Sequence, residues 1–462
     1  SRFGKDNRWA YFPSVSIGWI ASDEKFLRDN KLISFLKLKA SYGINGVEPP
    51  ADYGYYLSYN KYKAGAGGFS GQADNSLTYN GTVAVQPDWI GGVAQDKLSW
   101  VRTNQMNVGA EMAFGAQSRI RLDVDAYVRN VENGFFEFTL PYHTGYERIQ
   151  TNGVGMRNSG IEATLITKNL PRSSALQWNS RITLSQNRDI ITSLPNGNRD
   201  LFTGGFYSNN KLVVGRSPNL FNLIEYQGVF LREEDIPVDP LTGNKISYIF
   251  RGSVPGIGWA RFLDANGDYW IKDDKTSAYG DFITQLDPNP AITGGFLNDF
   301  YYKNWSLSLN CVLTFNRDIQ NNSLVDEFWD NITFGGINRF TQMSISNYGK
   351  MGVWLRPGDN AVYPRVPIRT DLYTWNPNSS IYMDKGSYIK LKTVQLGYSA
   401  NEHLLSRIRA KGLRFFVTLD NVLRWQNSKT VPDAEQVDFY GYYNGQSYPI
   451  PRKATIGLNI TL

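Results

Sequence analysis

The chain has 462 residues, of which 41% are hydrophobic and 14% aromatic, and 48 basic against 42 acidic side chains leave a net charge of +6. No run of about 18 apolar residues occurs, which excludes membrane-spanning helices but not a membrane barrel, whose strands are only half apolar. One cysteine (Cys311) and two histidines (His143 and His403) exclude a disulfide framework, a cysteine-based zinc site and a His-dependent catalytic triad, and no Lys/Arg run marks a nucleic-acid patch.

In residues 8–20, Pro13, Val15, Ile17 and Trp19 share one face, and Ser14, Ser16 and Gly18 the other. After a polar turn, Leu36, Leu38, Ala40, Tyr42 and Ile44 alternate with Lys37, Lys39, Ser41, Gly43 and Asn45. The pair reads as antiparallel strands with lysines toward a wet lumen, although a soluble sandwich shows the same alternation on its solvent face. Residues 46–97 are rich in Gly, Tyr and Asn. So long an irregular segment counts against a compact soluble domain. It is normal on the outer side of a bacterial barrel, where loops are long and the opposite turns short.

Met106, Val108, Ala110 and Met112 then alternate with polar residues. Ile120, Leu122, Val124, Ala126 and Val128 alternate with Arg121, Asp123, Asp125, Tyr127 and Arg129. Full charges between apolar residues suit a water-filled lumen, not a protein core. These charges are read chiefly as pairing with one another or with a lumen-filling domain. Further strands are expected at about 157–168, 177–188, 291–301, 304–316, 387–400, 412–424 and 451–462. Another hairpin within 190–289 would bring the total to about twelve to fourteen. Short connections at 21–32, 115–118, 169–176 and 401–411 fall on one side and long loops on the other. The expected fold is all-β: a transmembrane antiparallel up-and-down β-barrel with long extracellular loops and short periplasmic turns.

In the last strand Ile456, Leu458, Ile460 and Leu462 oppose Thr455, Gly457, Asn459 and Thr461. Thr455, Gly457, Ile460 and Leu462 resemble the C-terminal assembly signal of bacterial outer-membrane barrels, although Leu462 stands where that signal usually has an aromatic.

Loop aromatics are candidate substrate contacts, because flat rings stack on sugar faces and pack on peptides; Tyr55, Tyr56, Trp89, Tyr207, Trp329, Trp354 and Trp375 are named as such. Asp264, Asn266 and Asp268 match the opening of a calcium loop, but Tyr269 replaces the required Gly and Lys275 the bidentate Glu, so an Asp/Asn-rich turn is the competing reading. No metal, cofactor or catalytic constellation is expected, and the chain is not read as an enzyme.

Several runs resemble the SusC-like TonB-dependent transporters of the Bacteroidota outer membrane, the SusC/RagA family. They are S-R-F-G-K-D-N-R-W-A-Y-F-P-S-V-S-I-G-W at 1–19, L-K-L-K-A-S-Y-G at 36–43 and L-S-W-V-R-T-N-Q-M-N-V-G at 98–109. N-G-V-G-M-R-N-S-G-I-E at 152–162, D-K-G-S-Y-I-K-L-K-T-V-Q-L-G-Y at 384–398 and Y-P-I-P-R-K-A-T-I-G-L-N-I-T-L at 448–462 continue them in order. The resemblance implies a 22-stranded barrel with an N-terminal plug. Residues 1–462 are therefore expected to be the C-terminal part of that barrel, with the plug and the TonB-binding segment outside this chain. It further implies import of oligosaccharides or peptides across the bacterial outer membrane with a SusD-like surface lipoprotein as lid, energised by TonB–ExbB–ExbD. The surroundings would be outer-membrane lipid and lipopolysaccharide, and the assembly a dimer of transporter–lid pairs. The alternatives are a barrel of this family acting as a subunit of a larger outer-membrane assembly, and a soluble β-rich glycan-binding protein.

Overall fold

The computed structural model describes residues 2–28, 30–48, 59–61, 78–79, 82–83, 85–87, 93–95, 97–115, 118–146, 148–203, 210–248, 253–272, 280–325, 351–366, 375–376, 378–408, 410–445 and 447–461. Its largest element is an eleven-stranded antiparallel sheet. We number its strands β1 (Ser14–Ile20), β2 (Ile33–Val47), β3 (Val101–Phe114), β4 (Ile120–Thr139), β5 (Arg148–Lys168) and β6 (Leu176–Ser193). The others are β7 (Ile292–Tyr302), β8 (Trp305–Phe315), β9 (Tyr388–Ser399), β10 (Gly412–Gln426) and β11 (Lys453–Thr461). Each strand pairs with its neighbours in this order, so the sheet is an up-and-down meander with β1 and β11 at its edges.

Among the described residues eleven strands form this sheet, where the sequence predicts twelve to fourteen. The segment 190–289 adds no wall strand: β6 pairs directly with β7, from Leu176↔Tyr302 to Gln186↔Ile292. The reason lies in its burial. Phe221, Asn222, Leu223 and Ile224 are all buried, which needs packing on both faces, whereas a wall strand offers a core-like partner on neither. This segment instead pairs with Phe282–Leu286 and builds a small sheet of its own.

Strand alternation splits the main sheet into two chemistries. One face carries Ile17, Leu38, Val108, Val124, Ile161, Leu184, Leu396 and Leu458, and many of its large side chains are exposed. Aromatic pairs border this face beside the short connections: Trp178 stacks on Phe300 with centroids 5.5 Å apart, and Trp305 meets Tyr398 at 4.9 Å. An apolar band edged by aromatics is what a barrel presents to lipid. The other face is polar and is kept close-packed by rings laid over glycines. Phe416 lies over Gly457, and Tyr127 over Gly160. A Cβ on Gly160 would come within 2.6 Å of the Tyr127 hydroxyl and 2.5 Å of the Gln186 carbonyl oxygen. Gly160→Val should therefore destabilise the wall by about 1–3 kcal/mol, as overpacking does. The measurement is the temperature at which the detergent-solubilised barrel loses its compact mobility on a gel, and an unchanged temperature would refute the close contact.

Beyond the end of the sheet opposite the short connections, the long segments form a cap with hydrophobic cores of its own. One core gathers Ile224, Phe230, Tyr248, Trp259, Phe262 and Ile271; a second gathers Val353, Trp375, Ile381 and Tyr382; a third gathers Ile319, Val431, Ala434 and Tyr443. Hydrogen bonds knit the first two together: the Ile224 N–H donates to the Asn378 carbonyl (2.9 Å), and the Arg365 N–H to the Gly258 carbonyl (2.8 Å).

Candidate functional site

The polar face of the sheet carries a charge network across β2, β3 and β4. Lys39 Nζ lies 2.9 Å from Asp125 Oδ1 and 3.7 Å from Glu111 Oε1, and Lys37 Nζ lies 3.7 Å from the same Glu111 oxygen. Gly109 makes room for it, since a Cβ there would sit 2.2 Å from Asp125 Oδ1 and 2.4 Å from Lys39 Cε. Beside it opens a cavity of about 420 Å³ that Ser16, Ser41 and Asn107 also line. All four charged side chains are partly exposed, so these pairs contribute at most about 1 kcal/mol each. Their effect is to make a wet surface locally neutral and rich in donors and acceptors. Asp125 pairs with Lys39 and not with another of the four charges named on its strand. Arg121, Asp123 and Arg129 make no ion pair among the described residues.

Where the cap meets the wall, a second network is buried. Lys390, on β9, is 2% exposed; its Nζ donates to Asp433 Oδ2 at 3.1 Å and to Glu435 Oε2. Lys392 Nζ donates to the other Glu435 oxygen, and Arg424 on β10 lies 3.1 Å from Asp433. Burial works against charge on Asp433. The Glu435 N–H and the cations of Lys390 and Arg424 outweigh it and hold the carboxyl below its usual range. Glu435 is held low against its own burial by Lys390 and Lys392. Asp384 organises the adjoining turn: its Oδ2 accepts from Ser428 Oγ (2.8 Å), the Lys429 N–H (2.9 Å), the Thr430 N–H (2.9 Å) and Thr430 Oγ1 (2.9 Å). Against its burial, these bonds keep that carboxylate low as well. Together the two clusters fasten the 427–452 segment to the wall.

Of the aromatic candidates, Tyr55, Tyr56, Trp89, Tyr207 and Trp329 lie outside the described residues, as does Leu462. Trp375 requires a correction. It has no exposed surface, stacks on Tyr363 with centroids 5.8 Å apart, and donates its indole N–H to the Arg365 carbonyl (2.8 Å). It is a core residue of the cap, because a loop cluster this large needs its own apolar centre. Trp354 covers Gly258, whose Cβ would lie 2.6 Å from the ring, and its buried indole N–H meets no acceptor among the described residues. Thr455, Gly457 and Ile460 fall on the edge strand β11 with the expected alternation.

The Asp264 turn is closed by its own backbone. Asp264 accepts from the N–H groups of Gly267 and Tyr269, Asn266 from Asp268, and Asp268 from Trp270 while pairing with Lys272 Nζ at 2.6 Å. Asp281 is fully buried behind it and accepts from the N–H groups of Ala265 and Lys272. Burial raises its pKa, and the neighbouring Asp264 and Asp268 add to the rise. Among the described residues no group of three or more His, Cys, Asp or Glu is placed to hold a metal ion.

No protein-family model matches the chain. Along its whole length it is 25% identical to TonB-dependent receptor P26 and 27% identical to TonB-dependent receptor P3 of Formosa agariphila. Over 91% of its length it is 24% identical to the TonB-dependent receptor SusC of Bacteroides thetaiotaomicron. The chain is thus similar along its length to TonB-dependent receptors, SusC among them. It spans less than half of each, 43%, 42% and 37% respectively. The fold matches the RagAB peptide importer in its open-open state with a TM-score of 0.73 over 100% of this chain and 44% of that one, at 19% identity. The eleven-stranded meander therefore shares the fold of the matching part of that importer, and the relatives are receptors rather than enzymes.

Proposed function

We propose that this SusC-like chain is the C-terminal part of the barrel of an outer-membrane importer. The rest of the polypeptide supplies the strands that close β1 onto β11, the plug and the TonB-binding segment. The importer takes up oligosaccharides or peptides captured under a SusD-like surface lipoprotein, and TonB–ExbB–ExbD supplies the energy by acting on the plug. No covalent chemistry is needed: loop and lumen residues bind, the lid closes and the plug moves. One observation carries this reading, the similarity of the whole chain to TonB-dependent receptors and of 91% of it to SusC. The division of the sheet into an apolar face and an ion-paired polar face agrees with it.

The test is uptake. Cells lacking the full-length protein should lose import of one class in a panel of fluorescent oligosaccharides and peptides, and collapsing the proton gradient should have the same effect on cells that keep it. Affinity capture of the full-length protein in detergent should bring a surface lipoprotein with it. Uptake that survives loss of the gradient would refute active import, and recovery of the protein without detergent would refute the membrane location.

A further inference from the structure

The lipid-facing side of the sheet changes character at the rim nearest the cap. One rung across β3 to β6 reads Met106, Val128, Ser159 and Arg188. The next rung outward reads Asn104, Asn130, Arg157 and Ile190. Alternation puts all of them on the face of Ile120, Leu122, Val124 and Ala126. From Ile120 to Val128 the strand covers about 27 Å. Tilted by about 45°, that is about 20 Å of height, most of a barrel's apolar band. Arg188 and Arg157 thus stand at the headgroup level of the outer leaflet. This placement rests on the membrane orientation proposed above.

Two arginines on adjacent strands in diagonal register lie about 7–8 Å apart, and like charges so placed repel. Nothing in the wall offsets this fully. Arg157 Nε donates to Asn130 Oδ1 (2.8 Å), while Arg188 has no hydrogen-bond or ion-pair partner among the described residues. The acidic group on this face, Glu132, is engaged by Asn104 Nδ2 (3.2 Å). Beside Arg188 runs a groove of about 430 Å³ lined by Met106, Val108, Val128 and Ile161, with Gln186 on the rung of Ile161 and Arg188 on the rung above it. β10 differs at its own cap end, where it presents exposed Leu423 and Trp425.

We infer that this edge binds a phosphorylated, acylated lipid of the outer leaflet, its phosphate bridging Arg157 and Arg188 and an acyl chain lying along Met106, Val128 and Ile161. A phosphate removes the repulsion by accepting from both guanidiniums, and such charge-assisted bonds are the strong ones at a partly dehydrated surface. The apolar floor requires a tail on the same molecule.

The experiment compares wild-type full-length protein in detergent with the R157Q/R188Q and R157K/R188K variants. Each is stripped of lipid and offered lipid A, phosphatidylcholine or inorganic phosphate, and bound lipid is counted by native mass spectrometry. The expected result is lipid A retention about tenfold lower in R157Q/R188Q and partly kept in R157K/R188K, with phosphatidylcholine equal throughout. Equal lipid A retention by wild type and R157Q/R188Q, in variants that keep compact gel mobility, would overturn the inference alone. Displacement of lipid A by inorganic phosphate would overturn the requirement for a tail. Extraction of the wild type without detergent would overturn the membrane reading, and the inference with it.

Discussion

Replacing Lys390 by methionine should release the 427–452 segment from the barrel wall. The Lys390 ammonium is almost inaccessible and holds both Asp433 and Glu435. Breaking a buried ion pair by removing one partner costs about 3–5 kcal/mol. Arg424 and Lys392 remain as partial replacements, which places the loss at about 3 kcal/mol, a factor of about 100 in the open population. Protease cleavage within 427–452 of the folded full-length protein should accelerate by about that factor, since cleavage follows the open population when closing is fast. An unchanged rate would mean that the cluster fastens nothing. The same segment should respond to acid. Asp384, Asp433 and Glu435 all have carboxyl pKa values held below their ordinary ones. Their contribution is therefore fully present above the unfolded values, near pH 4, and is lost as pH falls through the lower folded values. Cleavage of the wild type should stay slow from neutrality to about pH 4 and rise below it. In Lys390→Met, with one cation gone, the rise should begin at higher pH.

Replacing Trp375 by alanine should cost the cap about 3–5 kcal/mol, the usual range for deleting a buried tryptophan. The ring is fully buried, stacks on Tyr363 and anchors the Arg365 carbonyl, while the Trp375 carbonyl accepts from Tyr382 Oη at 2.7 Å. Proteolysis within 351–382 should become fast, whereas the heat-resistant gel mobility of the barrel should persist, because no wall strand uses this residue. Trp375→Phe keeps the stack and loses one hydrogen bond, so about 1 kcal/mol is expected. A direct substrate contact would behave differently, lowering uptake at unchanged protease resistance. That outcome would overturn the buried role assigned to Trp375.

The wall was legible in the sequence because its two solvents impose a period of two. Val15-Ile17-Trp19, Ile120 to Val128 and Ile456-Leu458-Ile460 each declare a strand with one apolar side. The strand ends were less legible. β4 runs on to Thr139, well past Arg129, and β5 begins at Arg148 rather than near 157. Beyond the apolar band the two faces no longer meet contrasting surroundings, so hydrophobic alternation fades while backbone pairing continues. The cap was hidden for another reason. Phe221 to Ile224 is buried on both sides and shows no period, and its partners at 282–286 and 378–380 are remote in the chain. The Lys390 cluster was hidden likewise: a lysine on a lumen-facing strand resembles any other wet lumen charge until residues 433 and 435 fold back onto it. Trp375 looked like an exposed loop aromatic because nothing local shows that its loop has an interior.

Strands adjacent in the wall are adjacent in its chain order, and several, such as β3 with β4 and β7 with β8, are joined by short turns, whereas the cap ties residues far apart in the chain. The Tyr226 N–H donates to Ser380 Oγ across 154 residues, and Tyr226 Oη to the Val362 carbonyl across 136. Contacts between sequence neighbours close small loops and form early; distant ones wait for the chain between them. The short-turn hairpins of the wall can thus form as the chain is delivered. The roof cannot close until the final hairpin brings in Asp433 and Tyr443. The last connection before β11 is therefore a latch, and a chain arrested before it would stand as a wall without its roof.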